Sequence, residues 1–91
     1  MNTYMAGIDI GSTTVKLVVL DEEGQILFGD YRRHHAHTQG TLKTLLMQAR
    51  KNLGPCNLRV KITGSGSINL GKYSFPHAGF QGVIFNANRQ Q

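Results

Sequence analysis

Residues 7–21 read GIDIGSTTVKLVVLD, and this segment predicts a β-hairpin closed by a short polar turn. Residues 4–10 alternate between an apolar face and a face that carries Gly7 and Asp9, which is the period of a strand. Residues 14–20 are mostly β-branched and apolar, which favours a second strand. Because so few residues separate the two runs, the strands must be antiparallel.

The rest of the chain predicts an α/β fold. Residues 25–34 form a third strand, and 39–53 carry the leucine spacing of one helical face. Thr38 or Thr41 is expected to cap this helix, which ends before the following Gly-Pro pair. Residues 58–63 alternate again as a fourth strand, parallel to one of the three preceding strands through a right-handed crossover. The order β-β-β-α-β is that of the ribonuclease-H-like fold.

The C-terminal part of the chain has a different character. After a glycine- and serine-rich turn at 64–67, a second helix is expected over residues 68–73. Residues 74–91 show no sustained period of either kind, so we expect an irregular tail. The predicted domain therefore spans residues 1–73.

Composition and charge narrow the class of protein. Of the 91 residues, 40% are hydrophobic and 16% charged, which is a globular composition. No apolar run is long enough to cross a membrane, no secretion signal is seen, and the single cysteine, Cys56, excludes an internal disulfide; a cytoplasmic location is expected. All five acidic residues lie within residues 1–30, whereas residues 31–91 hold nine basic residues and no acidic one. This basic segment can mark a nucleic-acid surface or half of a domain that lacks its acidic complement, and we favour the second interpretation.

The turn of the hairpin has the residue types that bind phosphate. A glycine lets the backbone approach an anion, hydroxyls add donors, and a lysine adds a cation. The candidate phosphate-binding residues are Gly11, Ser12, Thr13, Thr14 and Lys16. Asp9, at the end of the first strand, is the candidate Mg²⁺ ligand beside the phosphates. The alternative is a plain hairpin with a serine- and threonine-rich edge.

Residues 7–21 resemble the first phosphate motif of the superfamily of actin, Hsp70 and sugar kinases. Within this superfamily, residues 9–16 most resemble the activators of 2-hydroxyacyl-CoA dehydratases and the related ATPase subunits of benzoyl-CoA reductases, the CoA-substrate-specific enzyme activases. Residues 62–66 also resemble the strand and glycine turn that those proteins carry. The resemblance covers about residues 4–73.

This resemblance implies a truncated ATP-binding lobe over residues 1–73, from an ATPase that activates an acyl-CoA dehydratase or reductase by ATP-driven electron transfer. By itself this lobe is expected to bind nucleotide weakly and to be inactive, and residues 74–91 are expected to be an out-of-frame tail. ATP and Mg²⁺ are the implied cofactors, with Asp9 on the metal and the turn residues on the phosphates. In that family a homodimer holds a [4Fe-4S] cluster, for which this chain has no ligand set, and the partner is an acyl-CoA dehydratase or reductase component. Neither a membrane nor a nucleic acid is expected as a partner, and no catalytic residue is identified.

Two other classes of protein stay open. One is the N-terminal fragment of a sugar kinase of the same superfamily. The other is a small basic ribonuclease-H-like module that binds nucleic acid, using Asp9 with Mg²⁺ and the basic residues of 31–91. Nucleases of this kind need further carboxylates, and none follows Asp30, so Asp9, Asp21 and Asp30 leave only a narrow opening for this alternative. The chain could also be a non-functional remnant.

Two further features have ordinary structural explanations. Residues 32–37 read RRHHAH, and a solvated strand end explains them better than a metal site. Cys56 is expected to be chemically inert, because no device that would lower its pKa is apparent in the sequence.

Overall fold

A computed structural model describes residues 2–63 and the backbone of residues 82–87. The elements in chain order are β1 (Thr3–Ile10), β2 (Thr14–Leu20), β3 (Ile26–Arg33), α1 (Thr38–Leu53), β4 (Asn57–Thr63) and β5 (Gly82–Ala87). The glycine turn at 64–67 and the helix predicted over 68–73 lie outside the described residues.

The strands form one mixed sheet in the order β3-β2-β1-β4-β5. β1, β2 and β3 are an antiparallel meander, whereas β4 pairs in parallel with β1 and with β5. α1 makes the connection from β3 at one edge to β4 on the far side of β1. The predicted β-β-β-α-β order and the ribonuclease-H-like α/β class are therefore confirmed.

β5 corrects one prediction. Residues 82–87 were expected to belong to an irregular tail, but they form a strand whose backbone pairs with residues 57–62 of β4. The tail has no strong strand period of its own, and the exposed edge of β4 supplies the backbone partners that make these residues a strand. The domain boundary predicted at residue 73 stays a prediction, because it falls outside the described residues.

α1 covers one face of the sheet, and the hydrophobic core lies between them. Every second residue of β1, β2 and β4 faces the helix and is buried or partly buried. The leucines on one face of α1 pack against them. The buried apolar residues are Ala6, Ile8, Ile10, Val15, Leu17, Val19, Leu42, Leu45, Leu46, Ala49, Cys56, Leu58 and Val60. The period-2 strands and the helical spacing thus bury the side chains that the sequence predicts.

The opposite face of the sheet is exposed, and we call it the open face. Its exposed members from β1, β2 and β4 are Met5, Gly7, Asp9, Lys16, Arg59, Lys61 and Thr63. These residues alternate along their strands with the residues of the core, because successive side chains of a strand point to opposite faces. Among the described residues, no helix packs on this face.

The ends of α1 follow one prediction and correct another. The helix ends at Gly54, whose φ of 77° suits glycine and whose N–H donates to the Arg50 carbonyl at 3.0 Å. At the other end His37 is the N-cap residue and makes no side-chain capping bond. The prediction of a threonine cap is wrong because Thr38 already has helical backbone and Thr41 lies inside the first turn. In the described part of the chain, no helix has the length and apolar character needed to cross a membrane.

Candidate functional site

Asp9 lies at the centre of a row of side chains that crosses the open face. Its direct partners are Lys16 on β2 and Thr63 on β4, and Lys16 is in turn paired with Tyr31 on β3. Directly paired residues of neighbouring strands share a face. The pleat therefore brings Lys16 to the same side as Asp9, as a joint role in binding phosphate requires.

A shallow concavity lies along this row and the next. In the second row Gly7 is paired with Val18 on β2 and with Lys61 on β4. The concavity has a volume of about 230 Å³, and its lining residues are Gly7, Ile8, Asp9, Lys16, Val18, Lys61 and Thr63. Two lysines and one carboxylate give this lining a net positive charge, so the surface attracts an anion more than a cation.

The β1–β2 turn differs from the predicted phosphate loop in one respect. The Gly11 N–H donates to the Thr14 carbonyl at 2.8 Å, so this amide closes the turn and is not free for a ligand. A Cβ at Gly11 would meet the Thr14 hydroxyl oxygen at 3.5 Å, an ordinary contact. The amides of Ser12 and Thr13 donate to no described residue, and both side chains are exposed. The free donors of this turn therefore belong to Ser12 and Thr13.

His34 ties this turn to the loop after β3. Its Nδ1 accepts the Ala36 N–H at 3.1 Å, so its Nε2 carries the hydrogen and donates to the Gly11 carbonyl at 3.1 Å. The His34 N–H also donates to the Thr13 carbonyl at 2.9 Å. His34 is only 9% exposed. The expected solvated strand end is thus wrong for His34, which holds two loops together and which no signal in the sequence distinguishes from its exposed neighbours.

The loop held by His34 has unusual backbone geometry. His35 and Ala36 have φ values of 46° and 67°, in the left-handed region that non-glycine residues seldom adopt. This loop places Arg33 and His35 beside Ser12 and Thr13, and together they line a cavity of about 180 Å³. Strained backbone of this kind persists only where its surroundings hold it, and here the His34 bonds do so.

The acidic residues other than Asp9 lie elsewhere in the described fold. Asp21 is structural: its Oδ1 accepts the N–H groups of Glu23 at 2.8 Å and Gln25 at 2.9 Å in the β2–β3 turn. This turn is five residues along β2 from Lys16, the partner of Asp9, which is roughly 17 Å of strand. Asp21, Glu22 and Glu23 therefore cannot join Asp9 around one ion.

The described residues do not make a complete Mg²⁺ site. They contain no group of three or more histidine, cysteine, aspartate or glutamate residues that could hold a metal ion. Asp9 is the only carboxylate lining its concavity, and Lys16 and Lys61 line it as well. Since a protein site for Mg²⁺ or a pair of such ions draws on several oxygen ligands, no metal-dependent step can be derived from these residues.

Cys56 is buried in the hydrophobic core. Burial raises the pKa of its thiol, and the positive charge of Arg50 acts in the opposite direction more weakly. The thiolate is the reactive form of cysteine, so a raised pKa and a buried position agree with an inert side chain.

The sequence from residue 6 to residue 91 matches the model of the DEDD transposase family of the IS110 type, described as transposase. This chain belongs to that transposase family. The match runs through residues 74–91. No curated protein matches this chain.

The fold of this chain is also found among solved structures. T. thermophilus RuvC, in complex with Holliday junction substrate, has a TM-score of 0.57 to it, with 15% sequence identity over 94% of this chain. At this identity the likeness shows the fold alone. This chain spans 65% of the length of that RuvC chain.

The family match overturns the predicted membership of the ATPase activators. ATP as cofactor, an acyl-CoA dehydratase or reductase component as partner, and the homodimer that holds a [4Fe-4S] cluster were implied only by that resemblance, and they are withdrawn with it. The expectation that nucleic acid is not a partner is wrong for the same reason. The resemblance depended mainly on a hairpin of 15 residues at the start of a ribonuclease-H-like fold. Because several families share this fold, such a hairpin does little to distinguish one of them from another.

Proposed function

We propose that this chain is a ribonuclease-H-like module that binds nucleic acid, and that the open face and the β1–β2 turn contact the sugar-phosphate backbone. Membership of the transposase family over residues 6–91 is the observation that carries this proposal. RuvC, a structure of the same fold, was solved with Holliday junction substrate, which supports a nucleic-acid partner by analogy. A protein with this partner works where nucleic acid is present, so a cytoplasmic location belongs to the same proposal.

The charge distribution supports the open face as the contact surface. Lys16, Arg59 and Lys61 are exposed on it, and Asp9 is the only carboxylate among its exposed members from β1, β2 and β4. Arg59 and Lys61 are two residues apart on β4, which places two cations on one side of the strand at a spacing of roughly 7 Å. Contacts from lysine and arginine to phosphates supply most of the affinity in sequence-independent binding.

The residues of the β1–β2 turn have proposed roles in the same contact. The amides and hydroxyls of Ser12 and Thr13 donate to phosphate oxygens, and Lys16 supplies charge from the neighbouring strand. Thr14 adds a hydroxyl, while Gly11 shapes the turn through its own bond to Thr14. Asp9 is proposed to hold Mg²⁺ only together with phosphate oxygens of the nucleic acid and water, because it is the only carboxylate in its concavity.

Fluorescence anisotropy with labelled DNA duplexes, measured from low to moderate salt, tests the proposal. We expect the wild-type affinity to fall steeply with salt, and Lys61→Gln to reduce the slope of log K against log salt by roughly 0.9 for one lost phosphate contact on a duplex. Lys16→Gln combined with Lys61→Gln should reduce it by roughly twice that amount.

Lys51→Gln is the matched control, because Lys51 is an exposed lysine in the last turn of α1 and not on the open face. It removes the same charge and should leave the slope near that of the wild type. A wild-type chain that binds no DNA at low salt would refute the proposal. Equal effects of Lys51→Gln and Lys61→Gln would refute the assignment to the open face.

A further inference from the structure

A second cationic cavity lies outside the open face, between the end of β3 and the first turns of α1. We call it the β3–α1 cleft, and its volume is about 470 Å³. The residues that line it are Arg32, Arg33, His35, His37, Gly40, Thr41 and Thr44. The described residues of its lining contribute two guanidinium groups, two imidazoles and two hydroxyls, and no carboxylate.

The cations of the β3–α1 cleft are not neutralised within the described structure. Neither the Arg32 nor the Arg33 guanidinium makes a hydrogen bond or ion pair with another described residue. The nearest acidic residue in sequence, Asp30, accepts the N–H of Tyr31 at 2.8 Å instead. A bound anion would supply the counter-charge that these two arginines lack among the described residues.

The scaffold holds these groups in defined places. Arg32 and Arg33 are paired in register with Val15 and Thr14 of β2, so the backbone of both arginines belongs to the sheet. His35 is on the left-handed segment that the His34 bonds maintain. Guanidinium groups carried on a strand bind a phosphate with less loss of freedom than the same groups on a mobile loop.

The start of α1 adds backbone donors to the wall of the cleft. The first helical amide with an acceptor is that of Thr41, which donates to the His37 carbonyl at 3.0 Å. The preceding amides of the helix have no acceptor among the described residues, the N-cap makes no side-chain bond, and no acidic residue is in the first turn. This end of the helix is therefore positively polarised and lacks a compensating group of its own.

Arg33 connects the β3–α1 cleft with the candidate functional site. It lines the 470 Å³ cleft and also the 180 Å³ cavity beside Ser12 and Thr13. Polar and cationic groups thus continue from the β1–β2 turn, across the end of β3, to the start of α1. A strand lying on the turn could follow this path without crossing an acidic residue that lines either cavity.

We propose that the β3–α1 cleft binds a backbone phosphate of the same nucleic-acid strand that contacts the β1–β2 turn, with the Arg32 and Arg33 guanidiniums as its principal donors. This inference rests on the proposed function, which it extends by a second anchor on the other side of β3. The path from the turn to the cleft fixes the direction in which the strand leaves the open face.

Two measurements test the inference on the full chain. In the first, inorganic phosphate is titrated at constant ionic strength while amide resonances are followed by NMR. Saturable shifts are expected at Gly40 and Thr41, and they should disappear in the double variant Arg32→Gln with Arg33→Gln. In the second, the double variant should reduce the salt slope of duplex DNA binding by roughly 1.8, the effect of two lost contacts.

The outcomes separate this inference from the proposed function. Lys51→Gln is again the control, because it removes one charge far from the cleft. Arg33→Lys keeps the charge but loses the bidentate guanidinium donor, so its affinity for DNA should be intermediate between those of the wild type and the double variant. A double variant that folds and keeps the wild-type slope, while Lys61→Gln lowers it, overturns the cleft and leaves the proposed function intact. Phosphate shifts at Gly40 and Thr41 without any DNA binding overturn both, and make free phosphate the ligand of the cleft.

Discussion

Replacement of His34 by alanine tests the connection between the β1–β2 turn and the loop after β3. The imidazole makes two hydrogen bonds, to the Gly11 carbonyl and from the Ala36 N–H, both at 3.1 Å. A neutral hydrogen bond contributes about 0.5–1.5 kcal/mol net, so the loss of both should destabilise the fold by about 1–3 kcal/mol. Each kcal/mol corresponds to a fall in Tm of roughly 4–8 °C for a domain of this size.

The assay is urea unfolding followed by circular dichroism, together with a thermal scan. His37→Ala is the matched control, because His37 is exposed and its side chain makes no capping bond. We expect that control to stay within about 0.5 kcal/mol of the wild type. If His34→Ala costs no more than His37→Ala, the two bonds do not hold the turn and the loop together, and the reasoning is refuted.

Three further predictions concern the core. Leu45→Ala should lower the free energy of unfolding by about 2–5 kcal/mol, because Leu45 is fully buried between α1 and the sheet; a change below about 1 kcal/mol in urea unfolding would contradict the packing. The Cys56 thiol should resist a thiol-specific reagent in the native protein and react after unfolding in urea, and prompt labelling of the native chain would contradict its burial. Because burial raises its pKa, the unfolded state loses the Cys56 proton first, so stability should decline as the pH rises above the pKa of an unfolded cysteine; a stability profile that rises with pH there would contradict the direction of the shift.

Much of the fold follows from local patterns in the sequence. The alternation of residues 4–10 and 14–20 identifies β1 and β2, and the leucine spacing identifies α1, because in each case one face must be buried. The position of Asp9 beside Lys16 also follows, since the length of a short hairpin sets its register. By contrast, β5 depends on a parallel partner that is distant in sequence, and its own residues carry no strong period.

The candidate site was likewise predictable from the sequence only in part. Its residue types on the hairpin could be read from the chain, but the hairpin alone pointed to an ATPase family, and the match over residues 6–91 corrected that interpretation. The burial of His34 and the approach of Arg33 to Ser12 and Thr13 could not be read, because they join residues about twenty positions apart through a loop with positive φ.

The sequence by itself determined that β1 to β4 are strands and α1 a helix, and which residues of the hairpin and the helix are buried. It also supplied the candidate phosphate-binding residues of the first turn. Those properties depend on neighbours within a few positions along the chain, where backbone geometry sets the period. Only the tertiary structure decided that Lys16 and Lys61 lie in neighbouring rows of the open face, with the two arginines at the end of β3 paired beside the β1–β2 turn. The acidic turn at 21–23 follows Leu20 at the other end of the sheet, in the row that holds Met5 and Arg59. That arrangement depends on strand order and on the crossover through α1, which bring together residues that no local pattern relates.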